Sequence, residues 1–226
     1  MPQRVKMSEI EFFGRITAGF THELKNVLAT VRESAGLMED ILGMGQGVPS
    51  PHSVRLSRAL GVIQGQIGRG IELLSGLNRF AHGPDQPGKV CLDLNETVVQ
   101  IVLLSQRFAR LKGVTLKACR AEAAVPVELP PVLLQMVLFS GLEFCWNRTP
   151  AGGEISLCVG GKESGPVVDF LCRGSGGVED DCFRDAVGSE PWETLAEMVG
   201  RLGGVVRICA EFPGLSVRLS SGCPGC

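Results

Sequence analysis

The chain predicts an α+β fold, in which a long helical hairpin precedes an α/β sandwich. Three observations carry this. An apolar heptad runs from residue 8 to about 42, and a second apolar-periodic run follows from 53 to 80 across a Gly- and Pro-rich turn. Beyond residues 83–89, read as a linker, strand-like and helix-like segments alternate. The expected division is therefore a hairpin over residues 1–82 and a second domain over 90–222.

The first helix opens at Ser8 with Glu11 three residues on, the signature of a capping box. With Phe20 taken as d, Ile10, Thr17, Leu24, Val31 and Met38 fall at a, and Phe13, Phe20, Val27, Ser34 and Ile41 at d. Eight of these ten are apolar, which predicts one packing seam. His22 then lies at f, farthest from the seam, with Asn26 one turn on and Glu23 at g as a solvated charge. An exposed imidazole beside a carboxylate and a carboxamide suits a nucleophile that a partner must reach.

In the return helix, Leu56, Leu60, Ile63, Ile67, Gly70, Leu74, Leu77 and Ala81 keep the spacing of four and three. Glycines at 61, 65, 68, 70 and 76 weaken it by about 1 kcal/mol each against alanine, so packing must hold it. Small residues here allow close approach of facing helices. Such a hairpin cannot bury its seam alone, and two copies forming a four-helix bundle would do so.

The second domain predicts strands at 90–94, 114–119, 154–159, 166–171, 205–209 and 215–219. Helices are expected from Asn95, as N-cap, to about 111, from 129 to 146, and from 191 to 202.

Composition narrows the function. Over 226 residues the net charge is -2 with no basic run, which argues against a nucleic-acid partner. There is no apolar stretch of membrane-span length and no secretory signal at the start, so the expected location is the cytoplasm, away from any membrane. Nine scattered cysteines fit a reducing compartment better than a disulfide framework. Cys223 and Cys226 form a Cys-x-x-Cys at the chain end, which offers a redox or metal alternative without the second pair such sites need. His52 and His82 read as surface residues at the ends of the second helix.

The run from Gly14 through Phe20-Thr-His-Glu-Leu-Lys-Asn26 to Ala29 resembles the phosphoacceptor box of sensor histidine kinases, with Val27 where that family has proline. The segments Asp93-Leu-Asn-Glu96, Leu134-Gln-Met-Val-Leu138, Gly152-Gly-Glu-Ile155 and Gly203-Gly204 are similar to parts of that family's ATP-binding domain. The resemblance implies a dimer through the hairpin and response-regulator receiver domains as partners. It also implies that the family's two asparagines fall at Ser140 and Phe144. Its adenine-binding aspartate falls at Cys172, ahead of Gly174 and Gly176. Its Gly-rich phosphate loop falls near Ser189-Glu-Pro191. A phosphate cradle needs free backbone N–H groups and no adjacent carboxylate. The expectation is thus a histidine phosphotransferase that binds no ATP and uses magnesium held by the partner receiver. His22 accepts phosphate, Glu23 acts as base, Asn26 modulates, and Lys25 and Arg32 touch the receiver. The alternatives are a receiver phosphatase or receiver-binding scaffold, and an ATP-dependent histidine kinase.

Overall fold

The computed structural model describes residues 8–44, 51–81, 88–161, 165–174 and 181–220. Its fold is α+β, a helical hairpin followed by a mixed sheet with helices packed on it. The hairpin consists of α1 (Glu9–Met44, 36 residues) and α2 (Pro51–Ala81, 31 residues). Ser8 caps α1 as expected, its Oγ accepting from the Glu11 backbone N–H at 3.1 Å. Cys223, Cys226 and His82 lie outside the described residues, and His52 falls within α2.

The buried stripe is displaced from the expected seam. The d residues Phe20, Val27 and Ile41 are buried, but Ile10 at position a is 85% exposed and Thr17 is also exposed, while Phe12 and Ile16 are fully buried. On α2 the buried positions among the described side chains are Ala59, Gly70, Leu73, Gly76 and Phe80, whereas Leu60, Ile67 and Leu74 remain about half exposed. The cause is that each helix has two apolar faces. One packs inside the chain and the other has no cover among the described residues. A single heptad merges the two.

After the hairpin come β1 (Val90–Asp93), α3 (Leu94–Leu111), β2 (Thr115–Cys119), β3 (Pro126–Leu129) and α4 (Pro131–Trp146). Then follow β4 (Glu154–Gly160), β5 (Val167–Arg173), α5 (Asp181–Arg184), α6 (Glu190–Arg201), β6 (Val205–Ile208) and β7 (Gly214–Arg218). The main sheet has the order β2-β4-β5-β7-β6, with only the β2–β4 pair parallel. A separate ribbon pairs β1 with β3. Inward side chains alternate: Ile155 opposes Cys172, Leu157 opposes Phe170, and Val159 opposes Val168, all buried. Helix α3 lies on β2 and β4, α4 on β4, β5 and β7, and α6 on β6.

The cap of α3 is Asp93, not the expected Asn95. Asp93 Oδ1 accepts from the Asn95 N–H at 3.0 Å and the Val125 N–H at 3.2 Å, while the Asn95 side chain is used on Ala121 and Ala123. The hairpin also packs on the sheet-and-helix unit, and buried apolar residues from Phe12 to Leu219 form one continuous core cluster. Two glycines permit the contact with α3. A Cβ on Gly19 would sit 2.9 Å from the Phe108 ring, and one on Gly76 would sit 3.0 Å from Leu103. By contrast, Gly61, Gly65 and Gly68 face open space. No helix among the described residues is long and apolar enough to cross a membrane.

Candidate functional site

The buried stripe of α1 turns His22 outward. Phe20 and Val27 are buried to either side of it along the helix, and His22, Lys25, Asn26 and Arg32 are all exposed. A shallow groove of about 590 Å³ runs beside the imidazole, lined by Phe13, Thr17, Ala18, Thr21, His22 and Lys25 among others. Arg32 sits ten residues further along α1, about 15 Å at helical rise, and does not border this groove.

The ring is not free on both sides. His22 Nδ1 lies 2.7 Å from Nη1 of Arg107 on α3. Glu23 departs from the solvated g position expected of it. Its side chain is only 7% exposed, and its carboxylate pairs with Arg110 of α3 and, at 3.4 Å, with Arg69 of α2. The reason is the displaced stripe, which puts Glu23 on the face of α1 that meets α2 and α3. Sequence reading had no hold on Arg107 or Arg110. They stand three apart on α3 and share a face, but that face looks solvated until α3 is docked on α1.

A second contact ties α1 to α4. Arg15 makes a bidentate pair with Glu143, at 3.1 Å and 2.6 Å, and its guanidinium lies 4.9 Å from the Phe139 ring centre. The hydrogen bond to Glu143 raises the Arg15 guanidinium above its ordinary range despite partial burial. Both side chains border a cleft of about 560 Å³, and Ser140, Phe144, Glu190 and Pro191 also line it. Four of the positions singled out as nucleotide-site equivalents therefore do converge. Phe144 is buried against Phe183 (6.2 Å between ring centres) and Trp192 (5.5 Å), with the Arg148 guanidinium 3.6 Å from the Phe144 ring centre. Cys172 is buried beneath α4. Burial and a hydrogen bond with Cys172 push the Cys145 thiol well above its ordinary range, so Cys145 is inert as a nucleophile. Among the described residues, no group of three His, Cys, Asp or Glu side chains could hold a metal ion.

No protein-family model matches the chain, and no curated protein matches it. Solved structures do. The chain resembles sensor histidine kinases. It is similar to the histidine kinase AdeS of Acinetobacter baumannii at 12% identity, over 88% of this chain and 98% of that one, with a TM-score of 0.48. A histidine kinase from Burkholderia phymatum aligns at 12% identity over 87% and 97%, with a TM-score of 0.44. The ATP binding domain of PrrB from Mycobacterium tuberculosis aligns at 13% identity over 60% and 98%, with a TM-score of 0.45. At such identities the chemistry of the site lies in this chain's own residues.

Proposed function

We propose that the chain is a histidine phosphotransferase that exchanges phosphoryl groups with response-regulator receiver domains at His22 and draws none from ATP. The observation that carries the reading is an exposed histidine beside an open groove, joined to a cleft poorly suited to a nucleotide. In that cleft Glu11, Glu143 and Glu190 set three carboxylates beside Arg15 and Arg148, Arg15 being already taken by Glu143, and Pro191 lacks an N–H where phosphate needs donors. Phe144 packs among rings where a polar side chain would be needed to orient magnesium on the phosphates. These features support a cleft that takes no nucleoside triphosphate.

In the forward step the imidazole attacks the phosphorus of a receiver's aspartyl phosphate. An N–P bond forms, the acyl O–P bond breaks, and the aspartate leaves as carboxylate. Positioning and charge stabilisation supply most of the catalysis, with magnesium and the aspartate brought by the receiver. Lys25 borders the groove and gives that acidic partner a cation to meet. Arg32 adds charge further along α1. Glu23 serves as base once it parts from Arg110, and Asn26, exposed one turn from His22, modulates the lifetime of the bound phosphate. The uncovered apolar stripes of α1 and α2 support a homodimer.

A second reading, receiver phosphatase, is favoured by one observation: Arg107 occupies Nδ1 of His22, which leaves Asn26 as the unencumbered polar group nearby. The test is label transfer. Purified protein and a His22→Gln variant are incubated with a labelled, phosphorylated receiver from the same genome, beside wells holding labelled ATP alone. The expected result is label on the wild type from the receiver, none on His22→Gln and none from ATP. Label arriving from ATP would restore the kinase reading. Receiver phosphate that decays faster without labelling His22 would establish the phosphatase.

A further inference from the structure

We propose that Arg107 is a positioning residue that keeps His22 silent by fixing which ring nitrogen carries the proton. The inference rests on the reading of His22 as phosphoacceptor and assigns that site its control.

A guanidinium has five N–H donors and no acceptor. At 2.7 Å from Arg107 Nη1, Nδ1 of His22 must therefore be the acceptor. A neutral imidazole has one donor and one acceptor nitrogen, so the proton sits on Nε2. Neither nitrogen can then attack phosphorus. Nε2 has no lone pair to offer, and the lone pair of Nδ1 is engaged by the guanidinium. Transfer through Nε2 requires its proton to leave, either to Nδ1, where Arg107 stands, or to Glu23, which Arg110 holds. Transfer through Nδ1 requires Arg107 to leave. Every route begins with an arginine of α3 letting go.

The rest of the α1–α3 contact is arranged to hold this state. Arg110, one turn beyond Arg107, takes the Glu23 carboxylate, so the arginine pair on α3 engages adjacent residues of α1. The missing side chain at Gly19 lets Phe108, next to Arg107 in the chain, come close enough to α1 for both arginines to reach. The Glu23 carboxylate is thereby kept on arginines and away from its duty as a base. Yet Arg110 is 50% exposed, so the hold is open to competition from a carboxylate-rich partner surface.

The test uses the full-length protein with phosphoramidate as a small phosphoryl donor. The P–N bond of phosphoramidate breaks, an N–P bond forms on His22, and ammonia leaves with the proton. Arg107→Ala is expected to label several-fold faster than wild type. Arg107→Lys, which still donates to Nδ1, is expected to stay slow. In parallel, nitrogen-15 shifts of His22 are expected to place the proton on Nε2 in wild type and to move toward the other tautomer in Arg107→Ala. Equal or slower labelling of Arg107→Ala, or a wild-type proton on Nδ1, would overturn the proposal. If no variant takes phosphate but the tautomer moves as stated, the arginine control stands and the phosphoacceptor reading falls.

Discussion

Replacing Phe139 with alanine is expected to cost about 3–5 kcal/mol of unfolding free energy, on the scale of buried Phe→Ala truncations. The side chain is fully buried on α4 where the hairpin meets the sheet-and-helix unit. Its ring centre lies 5.6 Å from Phe12, 5.4 Å from Phe108 and 5.6 Å from Trp146, and the Arg15 guanidinium stands over it. Truncation removes the ring through which α4 meets both α1 and α3, and the rings around it are too rigid to close the void. Against a total stability of about 5–15 kcal/mol for a domain, the loss is a large share. Urea unfolding followed by the fluorescence of Trp146 and Trp192 reads it directly, with Phe139→Leu expected to lose less. A loss below about 1 kcal/mol would mean that the helices are not joined through this ring. The same variant tests the link to the site. Phe108 touches both Phe139 and the face of α1 at Gly19, so loosening it should free Arg107 from His22.

That joint marks where sequence reading stops. The existence of α1, α2, α3, α4 and α6 is legible because apolar spacing or a proline-led apolar run writes each helix locally. Five strands of the main sheet are legible because β-branched and apolar residues cluster between glycines. The short strand β3 is not, since Pro126-Val-Glu-Leu129 has one turn-forming residue and too few positions to show alternation. The identity of the α3 cap is not legible either. Asp93 and Asn95 are both good caps, and only the return of the chain at Ala121, Ala123 and Val125 decides between them. At the site the outward position of His22 follows from periodicity, but its partner is 85 residues away. Arg107 carries no local mark that separates it from a solvated charge. Glu23 is misplaced for a related reason: periodicity gives a stripe but not the number of elements that will pack on it.

The uncovered half of the hairpin leads to the other large effect. A double change, Ile67→Asp with Leu74→Asp, is expected to convert a dimer into a monomer. Leu60, Ile67, Ile71 and Leu74 recur at sevens, fours and threes on α2 and are 46%, 50%, 58% and 51% exposed. On α1, Ile10 and Leu28, eighteen residues and so five whole turns apart on one face, are 85% and 59% exposed. A two-stripe apolar surface of this length calls for cover, and a second hairpin supplies the matching geometry in a four-helix bundle. The double variant removes four apolar side chains per dimer. At about 1.5 kcal/mol each that is roughly 6 kcal/mol, or about four powers of ten in dissociation constant. Light scattering should give about twice 24.1 kDa for the wild type and the single value for the variant. A monomeric wild type would mean that something other than a second copy covers these stripes. Because His22, Arg107 and the groove all belong to one chain, the monomeric variant should still take phosphate from a small donor, at a rate set by Arg107 and not by assembly.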